Sequence, residues 1–236
     1  MSESEPKPDA RQDAKRLLRL ARTGALATME GPGGPPLASL VGVASDWDGA
    51  PLFLISDLSK HARHVAADPR VSLLLTSEGG RGDPLNQPRV TLTGSVVPHP
   101  DPIAKGRYLR RNPKAKLYAS FADFSLRRLH IDKVHFNGGF GRADALTPSD
   151  LLTPPGDVTE LAAAEDELLA EVDALGEEAL LRIAGGASPG RRVWRAAGLD
   201  AEGLDLSAGG ATARADFAEP AYSPVIWRAR LRELVS

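Results

Sequence analysis

The sequence predicts an α+β fold: short strands fill the first half, helices the middle, and a small mixed unit closes the chain. Three observations carry this. Between residues 24 and 97 the apolar residues fall in short runs of strand length, the last of them alternating strictly. Tight-turn chemistry separates the runs, as in Gly31-Pro32-Gly33-Gly34-Pro35-Pro36 and Asp46-Trp47-Asp48-Gly49. From Asp157 the apolar residues move to helical spacing.

Taken in order, Asp9–Arg22 reads as a helix with Leu17, Leu18, Leu20 and Ala21 on its apolar stripe and Gly24 beyond its end. Strands follow at Gly24–Met29, Leu37–Ser45 and Leu52–Ser56. Ser59–Ala67 is helical in composition and stops at Asp68-Pro69. Val71–Thr76 is almost wholly apolar, so it is expected to be buried on both faces. A polar loop, Glu78–Gln87, leads to Arg89–Val97, with Val90, Leu92 and Val96 on one side and Arg89, Thr91, Thr93 and Ser95 on the other. Helices are predicted at Asp101–Asn112 and Lys114–Ala122, split by Pro113, and a sixth strand within Leu129–Ala143. The segment 148–157 is the expected boundary, giving units at 9–147 and 157–236. The second unit holds helical spacing through Ile183, a strand pair around Gly209-Gly210, and a closing helix, Ser223–Val235, that buries Val225, Ile226, Leu231 and Leu234. Residues 1–8 read as a polar tail.

Composition narrows the function. At 236 residues with 42% apolar content the chain can bury a sizeable core. Its 29 basic and 31 acidic residues leave a net charge of −2, which gives no field to recruit nucleic acid or an anionic membrane. The absence of cysteine excludes disulfides, thiolate catalysis and cysteine-held metal, and fits a reducing compartment. No apolar run approaches the ~20 residues a spanning helix needs, and the N-terminus has no signal-peptide core. The expectation is a soluble cytoplasmic protein.

One stretch concentrates chemistry. In "ISDLSKHARHV", Ser56, Ser59, Lys60 and His61 meet where a strand stops and a helix begins. A helix N-terminus offers free N–H groups and partial positive charge, and two hydroxyls, an ammonium and an imidazole complete a phosphate cradle. The plainer reading is that Ser59 caps the helix while Lys60 and His61 are solvated. His61-x-x-His64 has metal-ligand spacing but no third ligand in view, so no metal site is assigned. His135 and Arg142 sit on a glycine-rich strand with room for a ligand to approach; a half-exposed histidine and a surface ion pair are the alternatives.

The segments "PLASLVGVA", "LFLISDLSKHARHVAADPRVSLLL" and "PRVTLTGSVV" resemble the FMN-binding split β-barrel of the pyridoxamine-phosphate-oxidase-like superfamily. "HFNGGFGRADAL" and "GLDAEGLDLSAGGATARADF" resemble its HugZ-like branch, in which a small α+β domain follows the barrel. The resemblance implies a six-stranded antiparallel split barrel and a homodimer with ligand clefts between subunits. It implies FMN as cofactor, its phosphate held by Ser56, Ser59, Lys60 and His61, its ring along Ser39, Leu40 and Val41, and Arg89 near the flavin of the same or the partner subunit. It also implies an oxidoreductase in which the flavin supplies the redox chemistry, with no catalytic residue assigned. Two alternatives stand beside it: a haem or tetrapyrrole binder or degrader of the HugZ type, with His135 as ligand, or a non-enzymatic dimeric binding module.

Overall fold

The computed structural model describes residues 9–31, 33–77, 83–139, 143–154, 156–186, 190 and 192–235. The predicted tail (1–8), the start of the polar loop and Arg142 lie outside them.

Asp9 caps the first helix, accepting from the Arg11 N–H, and α1 runs Ala10–Leu20 with Ala14, Leu17 and Leu18 turned inward. Next come β1 (Thr23–Met29), β2 (Pro36–Gly42), β3 (Ala44–Ser45), β4 (Pro51–Ser56) and α2 (Lys60–Ala67). Then follow β5 (Arg70–Thr76), β6 (Arg89–Pro98), α3 (Pro102–Arg111), β7 (Phe124–Asn137) and β8 (Ala143–Leu146). The antiparallel strands run in the order β2-β1-β5-β6-β7-β4-β3, with β8 on β7. This corrects the predicted count: among the described residues the sheet has eight strands rather than six. The expected strand Leu37–Ser45 breaks at buried Val43, whose N–H donates to the Arg22 carbonyl at 2.8 Å. The strand expected within Leu129–Ala143 begins earlier, at Phe124, and ends at Asn137, with a separate return strand beginning at Ala143.

The break at Val43 shapes the molecule. β2 and β3 occupy opposite ends of the sheet, yet one residue joins them, so the sheet must curl back on itself. Among the described residues no backbone ladder joins β2 to β4. The curl closes through the chain rather than through hydrogen bonds, and a groove opens between these two strands. A bulge at Thr93/Gly94 tightens the bend between β6 and β7; a Cβ on Gly94 would lie 1.9 Å from the His130 carbonyl oxygen.

Two further expectations need correction. β5 is buried on one face only: Val71, Leu73 and Leu75 are buried, whereas Leu74 is 37% exposed. An antiparallel sheet can leave its outer face in water even where the sequence is apolar. The predicted helix Lys114–Ala122 is a short 3₁₀ turn, Pro113–Leu117. Phe124 is already paired with Ser56 in the sheet, so too few residues remain to propagate a helix.

The C-terminal half adds α4 (Pro148–Leu151), α5 (Thr159–Ala163), α6 (Glu165–Ala174), α7 (Glu177–Ile183), β9 (Arg195–Asp200), β10 (Gly203–Ala208), β11 (Ala211–Asp216) and α8 (Pro224–Val235). The expected strand pair is a three-stranded sheet, β11-β10-β9. The predicted inward face of α8 is partly wrong: Val225 and Ile226 are 76% and 47% exposed, while Trp227 is fully buried. The Trp227 indole N–H donates to the Asp200 carbonyl at 3.1 Å and its ring meets Phe217 edge-on, which fixes the rotation of the helix. A buried charge network joins α1 to this sheet. Arg19 and Arg214 both hold Asp200 at 2.9 Å, and Arg214 also reaches Asp205 at 2.9 Å.

Candidate functional site

The groove between β2 and β4 has a volume of about 840 Å³, within the roughly 300–1,000 Å³ typical of small-molecule sites. Its strand walls are Leu40, Val41 and Gly42 on one side and Leu54, Ile55 and Ser56 on the other. One end receives the start of α2, the other the turn between β10 and β11. Aromatic rings form one flank: Tyr118 and Phe124 stand 4.7 Å apart between centroids, tilted by 40°; Phe121, outside the lining, meets Phe124 at 6.4 Å. Such a flank suits a flat conjugated ligand.

Tyr108 reaches the groove from α3, with its side chain buried. Burial, reinforced by Tyr118, pushes its phenol up to about 12 against a hydrogen bond from the Leu54 backbone. It therefore meets a ligand as a neutral hydroxyl at physiological pH. Asn112, at the end of α3, donates to the Val43 carbonyl at 3.1 Å and steadies the break in the strand.

At the α2 end, the Ser59 hydroxyl caps the helix by accepting from the Ala62 N–H at 3.2 Å. The Ser56 hydroxyl donates to the Asp123 carboxylate at 2.5 Å and accepts from the Leu58 N–H at 3.2 Å. Ser56 thus already holds an anion, which opposes a dianionic phosphate at the same place. His61 is half-buried on the first turn of α2 and is, of the five histidines, the one that lines the groove. Burial, with repulsion from His64, lowers its pKa and favours the neutral imidazole. His64 is turned aside, its Nδ1 3.1 Å from the Thr28 hydroxyl.

Of the residues singled out in the sequence, Leu40, Val41, Ser56, Ser59 and His61 line the groove. Ser39 is half-buried on β2 opposite Leu26, one step short of the lining. Lys60 is exposed beside the helix start and does not line the groove. Arg89 opens β6 elsewhere and donates to the Leu85 carbonyl at 2.8 Å. His135 is exposed on β7, paired with Thr91 and Ala145, and does not enter the groove. Missing from the sequence reading are Arg22, Tyr108, Lys114, Tyr118, Phe124 and Arg192, which arrive from five separate segments.

Comparison with known proteins adds four findings. A family model described as "CREG, beta-barrel" matches residues 5–152. The crystal structure of Atu2129, a protein of unknown function from Agrobacterium tumefaciens str. C58, is 34% identical, with a TM-score of 0.84, over 99% of this chain and 98% of that one. A heme binding protein from Mycobacterium smegmatis is 30% identical, with a TM-score of 0.56, over 98% of each chain. The chloroplastic non-canonical heme oxygenase HOZ of Arabidopsis thaliana is 34% identical over 113 residues, 47% of this chain; the match spans only 34% of that relative's length.

Proposed function

The chain belongs to the CREG beta-barrel family, and on that premise we propose that its groove binds haem or a closely related tetrapyrrole. The observation that carries the reading is the meeting, in one groove, of an aromatic flank, apolar strand walls and a histidine kept neutral. A flat porphyrin needs the first two, and an iron ligand must be unprotonated. The haem-named relatives from Mycobacterium and Arabidopsis support the same ligand class. Haem would supply the redox and oxygen chemistry; this chain's part is to hold the ring between β2 and β4, offer His61 to the iron and keep water from the apolar walls.

FMN, implied by the likeness of residues 36–97 to FMN-binding split barrels, has less support in the groove. Asp123 occupies the Ser56 hydroxyl, and Lys60 and Ser39 stand outside the lining. A second copy of the chain is proposed to cover the groove mouth, where Leu40, Leu58 and Leu117 are each more than three-quarters exposed.

Parallel titrations test the reading. Purified protein titrated with hemin should give a saturable, red-shifted Soret band at one equivalent per chain. FMN should leave the flavin spectrum unchanged. Saturable flavin binding with no hemin uptake would return the chain to the FMN reading.

A further inference from the structure

The end of the groove under the β10–β11 turn is built from cations. Arg22 arrives just after α1 and Arg192 from the approach to β9, and Lys114 lines the same groove from the 3₁₀ turn. Several other arginines of this chain are matched to acids: Arg19 and Arg214 hold Asp200, Arg107 holds Glu165, Arg128 holds Asp46 and Asp48, and Arg228 holds Glu167 and Glu171. Among the described residues Arg22, Lys114 and Arg192 have no carboxylate partner, and no acidic residue lines the groove. The net charge of −2 makes this a local feature, not part of a general basic surface.

The turn is fitted to these side chains. Arg22 donates from Nη1 to the Gly209 carbonyl at 2.8 Å, while its Nε is buried without a hydrogen-bond partner. Gly209 has φ +65°, and a Cβ there would lie 2.3 Å from Arg192 Nη1, so the bare glycine makes room for the guanidinium. The Nη1 atoms of Arg22 and Arg192 both lie 3.8 Å from the point where a Cβ on Gly210 would sit. The two Nη1 atoms are therefore no more than twice that distance apart, where like charges repel unless an anion sits with them, and an unpaired buried N–H is itself costly.

We propose that Arg22, Lys114 and Arg192 form a carboxylate subsite that pairs with the propionate side chains of the tetrapyrrole bound in the groove. The inference rests on the haem reading above and adds which end of the groove takes the acidic edge of the ring. Guanidinium groups match a carboxylate with paired N–H donors, and the apolar strand walls beyond them match the rest of the macrocycle. Because the glycine turn belongs to the C-terminal sheet and Arg22 to the barrel, a bound propionate would bridge the two halves of the chain.

The test compares hemin with its dimethyl ester, in which both propionates are neutral, by absorbance titration of the full-length protein. The wild-type chain should bind the ester at least about tenfold more weakly, the scale of a lost charge-assisted hydrogen bond. Arg192→Gln, an exposed position, should weaken hemin by a similar factor and leave the ester unchanged. Arg22→Gln should act in the same direction, with unchanged ester binding as the check that its groove is intact. Arg192→Lys should recover part of the hemin affinity. Equal affinity for hemin and ester, or equal weakening of both by the arginine variants, would overturn the subsite and leave the haem reading standing. Failure of the wild-type chain to take up either porphyrin would sink the haem reading and the subsite with it.

Discussion

His61 and Ser56 face the same groove a short distance apart in sequence, yet their surroundings prepare them for different tasks. Ser56 is committed to Asp123, so its hydroxyl serves the local fold. His61 has its pKa lowered by burial and by His64, so the imidazole stays neutral to lower pH than a free one. The sign follows directly: protons compete with iron for the ring, and a lowered pKa moves that competition downward. Hemin affinity should therefore hold as pH falls through about 6.5, the ordinary imidazole value, and drop only below it. A Soret titration across pH measures this; loss of binding centred above that value would contradict it. His61→Ala should weaken hemin about tenfold or more without shifting the thermal midpoint, whereas His135→Ala, on an outer face, should leave binding unchanged.

At the scale of elements, the groove exists because one strand breaks. Val43 interrupts the run between β2 and β3, and the curl that follows separates β2 from β4. The bulge at Gly94 supports the same curvature. Gly94→Ala would force the new methyl against the His130 carbonyl, so it should lower the denaturation midpoint measurably; an unchanged midpoint in urea would argue against a required close approach. Trp227→Ala, which empties a fully buried site on α8, should cost about 3–5 kcal/mol by the same measurement. Much of this was legible in the sequence. Alternation marked β6, Asp9 and Ser59 marked the helix starts, and the Gly209-Gly210 pair marked a hairpin. Three features were not legible. Nothing local distinguishes Val43 from its apolar neighbours, because the break is set by a bond to Arg22 across the sheet edge. The apolar run of β5 does not reveal that one face stays open. Most of the groove lining comes from segments whose meeting depends on the curl, so periodicity carries no trace of Arg22 beside Arg192 or of Tyr118 beside Phe124.

The described residues are tied together by buried charge as well as by three apolar clusters, one spanning Ala14 to Leu151, one Leu161 to Leu231, and a smaller one that includes Leu52, Tyr108 and Leu126. Burial alone would raise the Asp200 pKa, but the charges of Arg19 and Arg214 outweigh it and hold the carboxyl well below its usual range. A carboxylate with a depressed folded pKa stabilises the protein fully above its unfolded value, about 3.9, and loses that contribution as pH falls below it. Asp200→Asn should cost about 3–5 kcal/mol at neutral pH, because two buried guanidinium groups lose their shared partner. The gap between variant and wild type should narrow in acid; a gap that persists unchanged well below pH ~3.9 would contradict the assignment. Assembly is tested at the same scale. Light scattering should give twice the chain mass, and Leu40→Asp, at a position 79% exposed on the groove rim, should return it to one. A monomer in the wild-type protein would remove the proposed second copy.

The central claim is that a tetrapyrrole lies between β2 and β4 with His61 as its iron ligand. A crystal structure of the protein with hemin bound tests it most directly. Porphyrin density is expected in that groove, flanked by Tyr118 and Phe124, with iron joined to the His61 imidazole. Porphyrin density elsewhere on the chain, or iron held by a different histidine, would contradict it.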